Sequence, residues 1–394
     1  MRLRHVRLGV AKAFIGVAVL IAGCSANQEQ VEQSPEVEKV PEQVEVPLLK
    51  DVYADYFPIG AAVKTGYIEP YSDLMNHYNS VSMEYEMKWS ALQPEEGRFS
   101  YAASDEIIDY AKKNDKLVRG HTLVWYRALP AWVLSEGTTE EQALDRMRAH
   151  IAAVIEHYGE SVYTWDVVNE ALADNPTQAQ VDSGNFYRTG KEATGTLTGD
   201  WYALTGIDYI KEAFREADRV RKELGLDITL FYNDYGLNIP AKREAAVKLI
   251  KELQADGIAI DGIGMQGHYY LGDFIMDEFE NSIKAFTELG LDVQVTELDI
   301  SIYPYGSTDE VYDELPETIA NIQAVMYGGI FNIARNYSTP KAEGHGRVTG
   351  ITLWGIADDL SWLDNEPVKN RKNWPLLFDE EQLPKPAFYA VTQF

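Results

Sequence analysis

Trp165-Asp166-Val167-Val168-Asn169-Glu170 and Val295-Thr296-Glu297-Leu298-Asp299-Ile300 decide how this chain is read. Each is a β-rich run that brings a glutamate to or near its end, and the two glutamates stand 127 residues apart. A strand that delivers a glutamate to its C-terminal end, twice, is how a parallel barrel builds a two-carboxylate active site. Around these runs, strand-like segments at 57–62, 80–85, 117–125, 163–170, 227–234, 262–268, 292–300 and 350–357 alternate with helical patterns at 140–158, 207–224, 241–256, 276–289 and 316–335. In one of the helical patterns Ala246, Leu249, Ile250 and Leu253 recur at the spacing of a single helix face. Eight strand signals separated by helices predict an α/β fold, a single (β/α)8 barrel rather than an open sheet. The connections 172–204 and 301–315 are the long ones, and each follows a strand that carries a glutamate. Long βα connections in a barrel sit on its catalytic face.

The 394 residues carry a net charge of −27, which argues against nucleic acid as a partner because phosphate binding needs a basic surface. Aromatic residues make up 11% of the chain, with 8 Trp and 24 Tyr. They suit a large core, and they also suit flat apolar platforms for sugar rings. The seven histidines show no paired ligand spacing and the acids form no metal-binding loop, so no metal and no cofactor is expected.

The N-terminus reads as export machinery. Arg2, Arg4, Arg7 and Lys12 precede an apolar run of 11 residues, Ala13 to Gly23, too short to span a bilayer. Leu20-Ile21-Ala22-Gly23-Cys24 resembles a bacterial lipobox, in which cleavage leaves the cysteine as a lipidated N-terminus. Cys24 is the single cysteine of the chain, so no intramolecular disulfide exists. Residues 1–23 are therefore expected to be a lipoprotein signal peptide, 24–49 an acidic flexible tether, and 50–394 the catalytic domain. Loss of 1–23 leaves 31 basic against 62 acidic residues. The expected location is the cell envelope, at the outer membrane or cell surface, with Cys24 as the anchor. Nothing in the sequence calls for an oligomer, so a monomer is expected.

Within a strand, side chains alternate, so Glu297 and Asp299 share a face and Leu298 points away. Gly264-Met265-Gln266-Gly267-His268 lies on the preceding strand, which places His268 beside Glu297. A histidine between two acids would be held in one orientation and would hydrogen-bond the nucleophile. Asn169 precedes Glu170, where its amide can reach a sugar hydroxyl or the nucleophile. Two carboxyl groups about 5–5.5 Å apart would imply retention through a covalent glycosyl-enzyme, whereas inversion needs a wider gap.

From about residue 55 onward the sequence resembles glycoside hydrolase family 10, the endo-β-1,4-xylanases. The resemblance rests on ordered motifs: Glu84-Tyr85-Glu86-Met87-Lys88-Trp89, Gly120-His121-Thr122-Leu123-Val124-Trp125, Trp165 to Ala171, Asn233-Asp234-Tyr235, Gln266-Gly267-His268, Thr296-Glu297-Leu298-Asp299, Trp354-Gly355 and Ser361-Trp362. It implies a retaining, endo-acting hydrolase of xylan, with Glu170 as acid/base and Glu297 as nucleophile. It also implies that His268 and Asp299 orient the nucleophile. Lys88, His121 and Asn169 would bind sugar hydroxyls on the glycone side, Glu84 and Gln266 would also bind substrate, and Trp125, Trp354 and Trp362 would wall the bound sugar. Tyr235, with Tyr269 and Trp201, would serve the aglycone side, while Trp89 and Trp165 are expected in the core.

Three positions depart from the family pattern. Tyr85 stands where an Asn is usual, Tyr126 where a His is usual and Ala128 where a Gln is usual. An amide exchanged for a phenol and another for a methyl removes planar donor–acceptor pairs. Tyr85 and Ala128 are thus expected at an altered glycone subsite, either through drift with an unchanged substrate or with a preference shifted, for instance, to a decorated or mixed-linkage xylan. A non-catalytic glycan-binding protein on a hydrolase barrel is the competing class, and the presence of both glutamates with His268 argues against it.

Overall fold

The computed structural model describes residues 46–189 and 200–394. The expected signal peptide, Cys24 and most of the expected tether lie outside the described residues, as does the 190–199 part of the long connection. The compact unit begins at Pro47. Leu49 is fully buried and opens a short helix, Leu49–Val52, so the fold starts slightly before the expected boundary.

Among the described residues eight parallel strands form the barrel: β1 Ile59–Val63, β2 Ser80–Met83, β3 Leu117–Gly120, β4 Thr164–Asn169, β5 Thr229–Asp234, β6 Gly262–Met265, β7 Asp292–Ser301 and β8 Val348–Leu353. Each pairs with the next, and β8 closes the ring on β1. The crossovers carry α1 Ala102–Lys113, α2 Glu140–Tyr158, α3 Asp208–Leu224, α4 Pro240–Ala255, α5 Met276–Thr287 and α6 Glu317–Asn336, and α7 Pro386–Thr392 ends the fold. The β1–β2 crossover has only a 3-10 turn, Leu74–His77. Local signals set the helix starts. At α2 the Thr139 hydroxyl accepts from the Gln142 N–H while the Gln142 side chain accepts from the Thr139 N–H. At α4 Pro240 takes the first turn, where its missing N–H costs nothing.

Two expected strands are interrupted. The run 117–125 breaks after Gly120, because Thr122 and Leu123 turn to hydrogen-bond the Asp166 carbonyl at 2.8 and 3.0 Å, and Val124–Trp125 resumes beside β4. The run 262–268 ends at Met265, because Gly267 sits at φ +89°, and His268–Tyr270 pairs afresh with β7. Both breaks lie at the catalytic rim.

Beneath the rim, inside the barrel, Arg119 of β3 makes a fork with Asp166 of β4 and donates through Nε to Gln294 of β7 at 2.9 Å. All three are buried. A buried charge is tolerated only when it is paired and hydrogen-bonded, and this one is. At the opposite end of the barrel the first and last helices of the described residues meet. Tyr53 donates to the Val391 carbonyl at 2.5 Å and packs on Phe57 and Phe331, and the Leu49 N–H reaches His77 just ahead of β2.

Candidate active site

The two strands that carry the glutamates are both irregular. β4 gains one residue against β5 between Asp166 and Val168, and β7 gains one against β8 between Val295 and Leu298. A bulge re-aims the residues that follow it. On β7 the result is that consecutive residues meet the same amide: the Thr296 hydroxyl donates to Asn233 Oδ1 at 2.6 Å, and Asn233 Nδ2 donates to Glu297 Oε1 at 2.8 Å. Asn233 also donates to Asn169 Oδ1 at 2.8 Å, so it ties β7 to β4. Gly264 makes room for it. A Cβ there would stand 2.2 Å from Asn233 Oδ1 and 2.8 Å from the Thr296 methyl.

Glu297 sits among charges. His268 Nε2 lies 3.2 Å from Glu297 Oε2, and His268 Nδ1 lies 3.0 Å from Asp299 Oδ1. Trp362 Nε1 donates to the other Asp299 oxygen at 2.8 Å. His121 Nδ1 is 2.9 Å from Asp166 Oδ2 and 3.9 Å from Glu297 Oε1. Burial by itself raises the Glu297 carboxyl. The fields of His121 and His268 and the hydrogen bonds from His268 and Asn233 overcome burial and bring it down to about 2. His268 is pushed the other way. Burial lowers it, but the charge and hydrogen bond of Asp299, with those of Glu297, hold it up at about 10. Lys88 is lowered by burial, partly offset by Glu297, Glu170 and Glu84.

Glu170 is held differently. It follows β4 with φ +57°, and its N–H donates to the Asn233 carbonyl at 2.9 Å. Its carboxyl receives neutral donors: Trp125 Nε1 at 2.9 Å on one oxygen, Gln266 Nε2 at 2.9 Å and Asn169 Nδ2 at 3.2 Å on the other.

A cleft of about 480 Å³ opens over the pair. Glu170, Glu297, Glu84, Lys88, His121, Trp125, Tyr235, Gln266, His268, Trp354 and Trp362 line it. Asn169 bonds Glu170, and Asp299 stands behind His268. Lys88 Nζ lies 4.5 Å over the Trp125 ring, and Glu84 is ion-paired to Lys64 at 2.7 Å. Gln266, expected to meet sugar, spends its amide on Glu170.

Two expected site residues are misplaced. Tyr85 is 51% exposed, and its hydroxyl faces Ser90 at 3.5 Å rather than the cleft. Ala128 is absent from the cleft lining; φ +46° turns it aside, and its carbonyl accepts from Ser90. In their place Tyr126 and Arg127 line that wall. Trp201 is buried against Trp89 and Tyr209 and borders a small pocket that it shares with Trp125, Glu170 and Arg188. Tyr269 is buried too, but with Phe274 it borders an apolar annex of about 230 Å³ that Tyr235, Tyr270 and Tyr305 share with the cleft. Trp165 and Trp89 are core residues, as expected. Tyr270, Tyr305, Asp174 and Arg188 were not anticipated. Only their position in the long connections or next to His268 could have drawn attention to them.

The profile of Glycosyl hydrolase family 10 matches residues 48–394. The chain belongs to that family. A β-1,4-xylanase of Dictyoglomus thermophilum is 43% identical over 352 residues, spanning 89% of this chain and 92% of its own. An endo-1,4-beta-xylanase of Geobacillus stearothermophilus is 38% identical across 88% of this chain and 98% of its own. Among solved structures, an endo-1,4-beta-xylanase from Caldicellulosiruptor owensensis superposes with a TM-score of 0.79 at 36% identity, covering 89% of this chain and all of that one. As a family 10 member the chain is a retaining glycoside hydrolase on a (β/α)8 barrel.

Proposed function

We propose that this family 10 hydrolase cleaves β-1,4-xylosidic bonds within xylan by double displacement, with Glu297 as nucleophile and Glu170 as acid/base. One observation carries the assignment of roles: the two carboxyls share one amide network but differ in surroundings. Glu297 is held ionised, with its carboxyl lowered to about 2, while Glu170 meets only neutral donors.

In the first step a Glu297 oxygen bonds the anomeric carbon as the carbon–oxygen bond to the aglycone breaks. The Glu170 proton passes to the departing oxygen. In the second step Glu170, now a carboxylate, takes a proton from water. That water oxygen bonds the anomeric carbon and the bond to Glu297 breaks, restoring both side chains. His268, fixed by Asp299, keeps one Glu297 oxygen hydrogen-bonded, and Asn233 keeps the other. Lys88, His121 and Glu84 are offered to hydroxyls on the glycone side, between walls of Trp125, Trp354 and Trp362. Tyr235 faces the aglycone. Proton NMR of the first sugars released from xylan should show the β-anomer before mutarotation; an initial α-anomer overturns the mechanism.

The cell address is a further part of the proposal. The basic N-terminus, the short apolar run and Leu20-Ile21-Ala22-Gly23-Cys24 support export and lipid attachment at Cys24, with an acidic tether before the barrel. The enzyme then acts as a monomer at the cell envelope. Metabolic labelling with a palmitate analogue should mark the wild type and leave Cys24→Ala unmarked.

A further inference from the structure

The connection after β4 turns back on the residue it has just left. The Ala173 N–H donates to the Phe186 carbonyl at 2.9 Å, the Arg188 N–H donates to the Ala171 carbonyl at 2.8 Å, and Leu172 bridges Tyr187. This return brings Arg188, 3% exposed, directly under Glu170. Arg188 Nε donates to the Glu170 carbonyl at 2.8 Å. Its Nη2 donates to the Tyr235 hydroxyl at 2.9 Å and lies 2.6 Å from Asp174 Oδ1, and the Tyr235 hydroxyl in turn donates to Asp174. The guanidinium covers the Tyr126 ring at 4.5 Å.

We infer that Arg188 is a positioning residue for the acid/base, fixing the backbone of Glu170 and linking it to Tyr235 on the aglycone wall. The inference rests on Glu170 being the proton donor. Glu170 has a Cβ yet adopts φ +57°, a conformation that its surroundings must impose. Its N–H is fixed by Asn233, and its carbonyl is fixed by Arg188. The donors on its carboxyl, Trp125, Gln266 and the adjacent Asn169, grip the side chain and leave the backbone to these two bonds. Arginine suits the task because one rigid fork reaches the carbonyl, the phenol and the carboxylate together, which a lysine cannot do. Tyr126 fits the same account. A phenol in place of the family's usual histidine gives the guanidinium a neutral ring to stack on, where a protonated imidazole would repel it. A sugar docking on Tyr235 therefore touches the residue that shares a cation with the acid/base backbone.

The test separates proton delivery from general loosening. Proton donation matters in proportion to the basicity of the leaving group, and a dinitrophenolate leaves without it. kcat/KM is measured for wild type and Arg188→Lys on xylohexaose, phenyl β-xylobioside and 2,4-dinitrophenyl β-xylobioside. The variant should lose about 100-fold on xylohexaose, about tenfold on the phenyl glycoside and less than about threefold on the dinitrophenyl glycoside. Equal losses on all three, or none, overturn the inference. Should Arg188→Lys not fold, Tyr235→Phe decides: the same order with smaller losses supports the inference, and uniform losses overturn it. A wild type that cleaves the dinitrophenyl glycoside but not xylohexaose would instead sink the xylanase reading and everything resting on it.

Discussion

The two ends of the catalytic pair are built on opposite plans. The β7 end surrounds Glu297 with charge: two histidines, Lys88 and, through His268, Asp299. The β4 end bonds the Glu170 carboxyl through an indole and two amides, and its cations, Arg188 on the backbone carbonyl with Arg127 and Lys88 nearby, make no hydrogen bond to that carboxyl. The difference follows from what each carboxyl must do. A nucleophile has to be ionised before substrate arrives, so positive fields are useful to it. A proton donor has to hold its proton and then release it, and neutral donors on the carboxyl leave room for both.

Glu297→Gln should strain the comparison most. It keeps the shape and removes the charge, and kcat/KM on xylan should fall by about 10⁴-fold or more, the scale of losing a covalent nucleophile; near-wild-type turnover would end the assignment. Because the Glu297 carboxyl is depressed in the fold, its ionised form stabilises the protein above the ordinary carboxylate range, and that share is lost as pH falls toward about 2. The stability difference between wild type and Glu297→Gln, read by chemical denaturation, should therefore shrink as pH falls from about 4.5 toward 2. Gly264→Ala comes next. The new methyl displaces Asn233, the amide common to both ends, and should cost about tenfold or more in kcat/KM and about 1–3 kcal/mol in stability. Unchanged kinetics would show that the two ends do not depend on that amide. The smallest effect belongs to Tyr85→Asn, which restores the family's usual residue outside the cleft. kcat/KM on linear xylo-oligosaccharides should move by less than about twofold, as for an exposed side chain; a larger change would return Tyr85 to the glycone wall.

The barrel and its glutamates were legible because the two runs that carry them are Val-, Thr- and Trp-rich and bring a carboxylate to or near the strand end. The match of 140–158 to α2 reflects a capping box that can be read as letters. His268 was legible in part: its strand neighbours the one bearing Glu297, but its register against Asp299 depends on the break at Gly267. What escaped depends on backbone detail with no letter code. The bulges in β4 and β7 change which side chains face inward, and nothing in Val-Val or Val-Thr announces them. Tyr85 and Ala128 were assigned by position in a motif, but each lies in a turn, where strand alternation no longer tells direction. Arg188 lies in a connection without periodicity, and only its fold-back on Ala171 reveals its use.

The clasp between Tyr53 and Val391 lies at the end of the barrel away from the cleft, where the strands begin. The fold is thus fastened at the floor of the cup, and the connections that line the mouth carry none of that clasp.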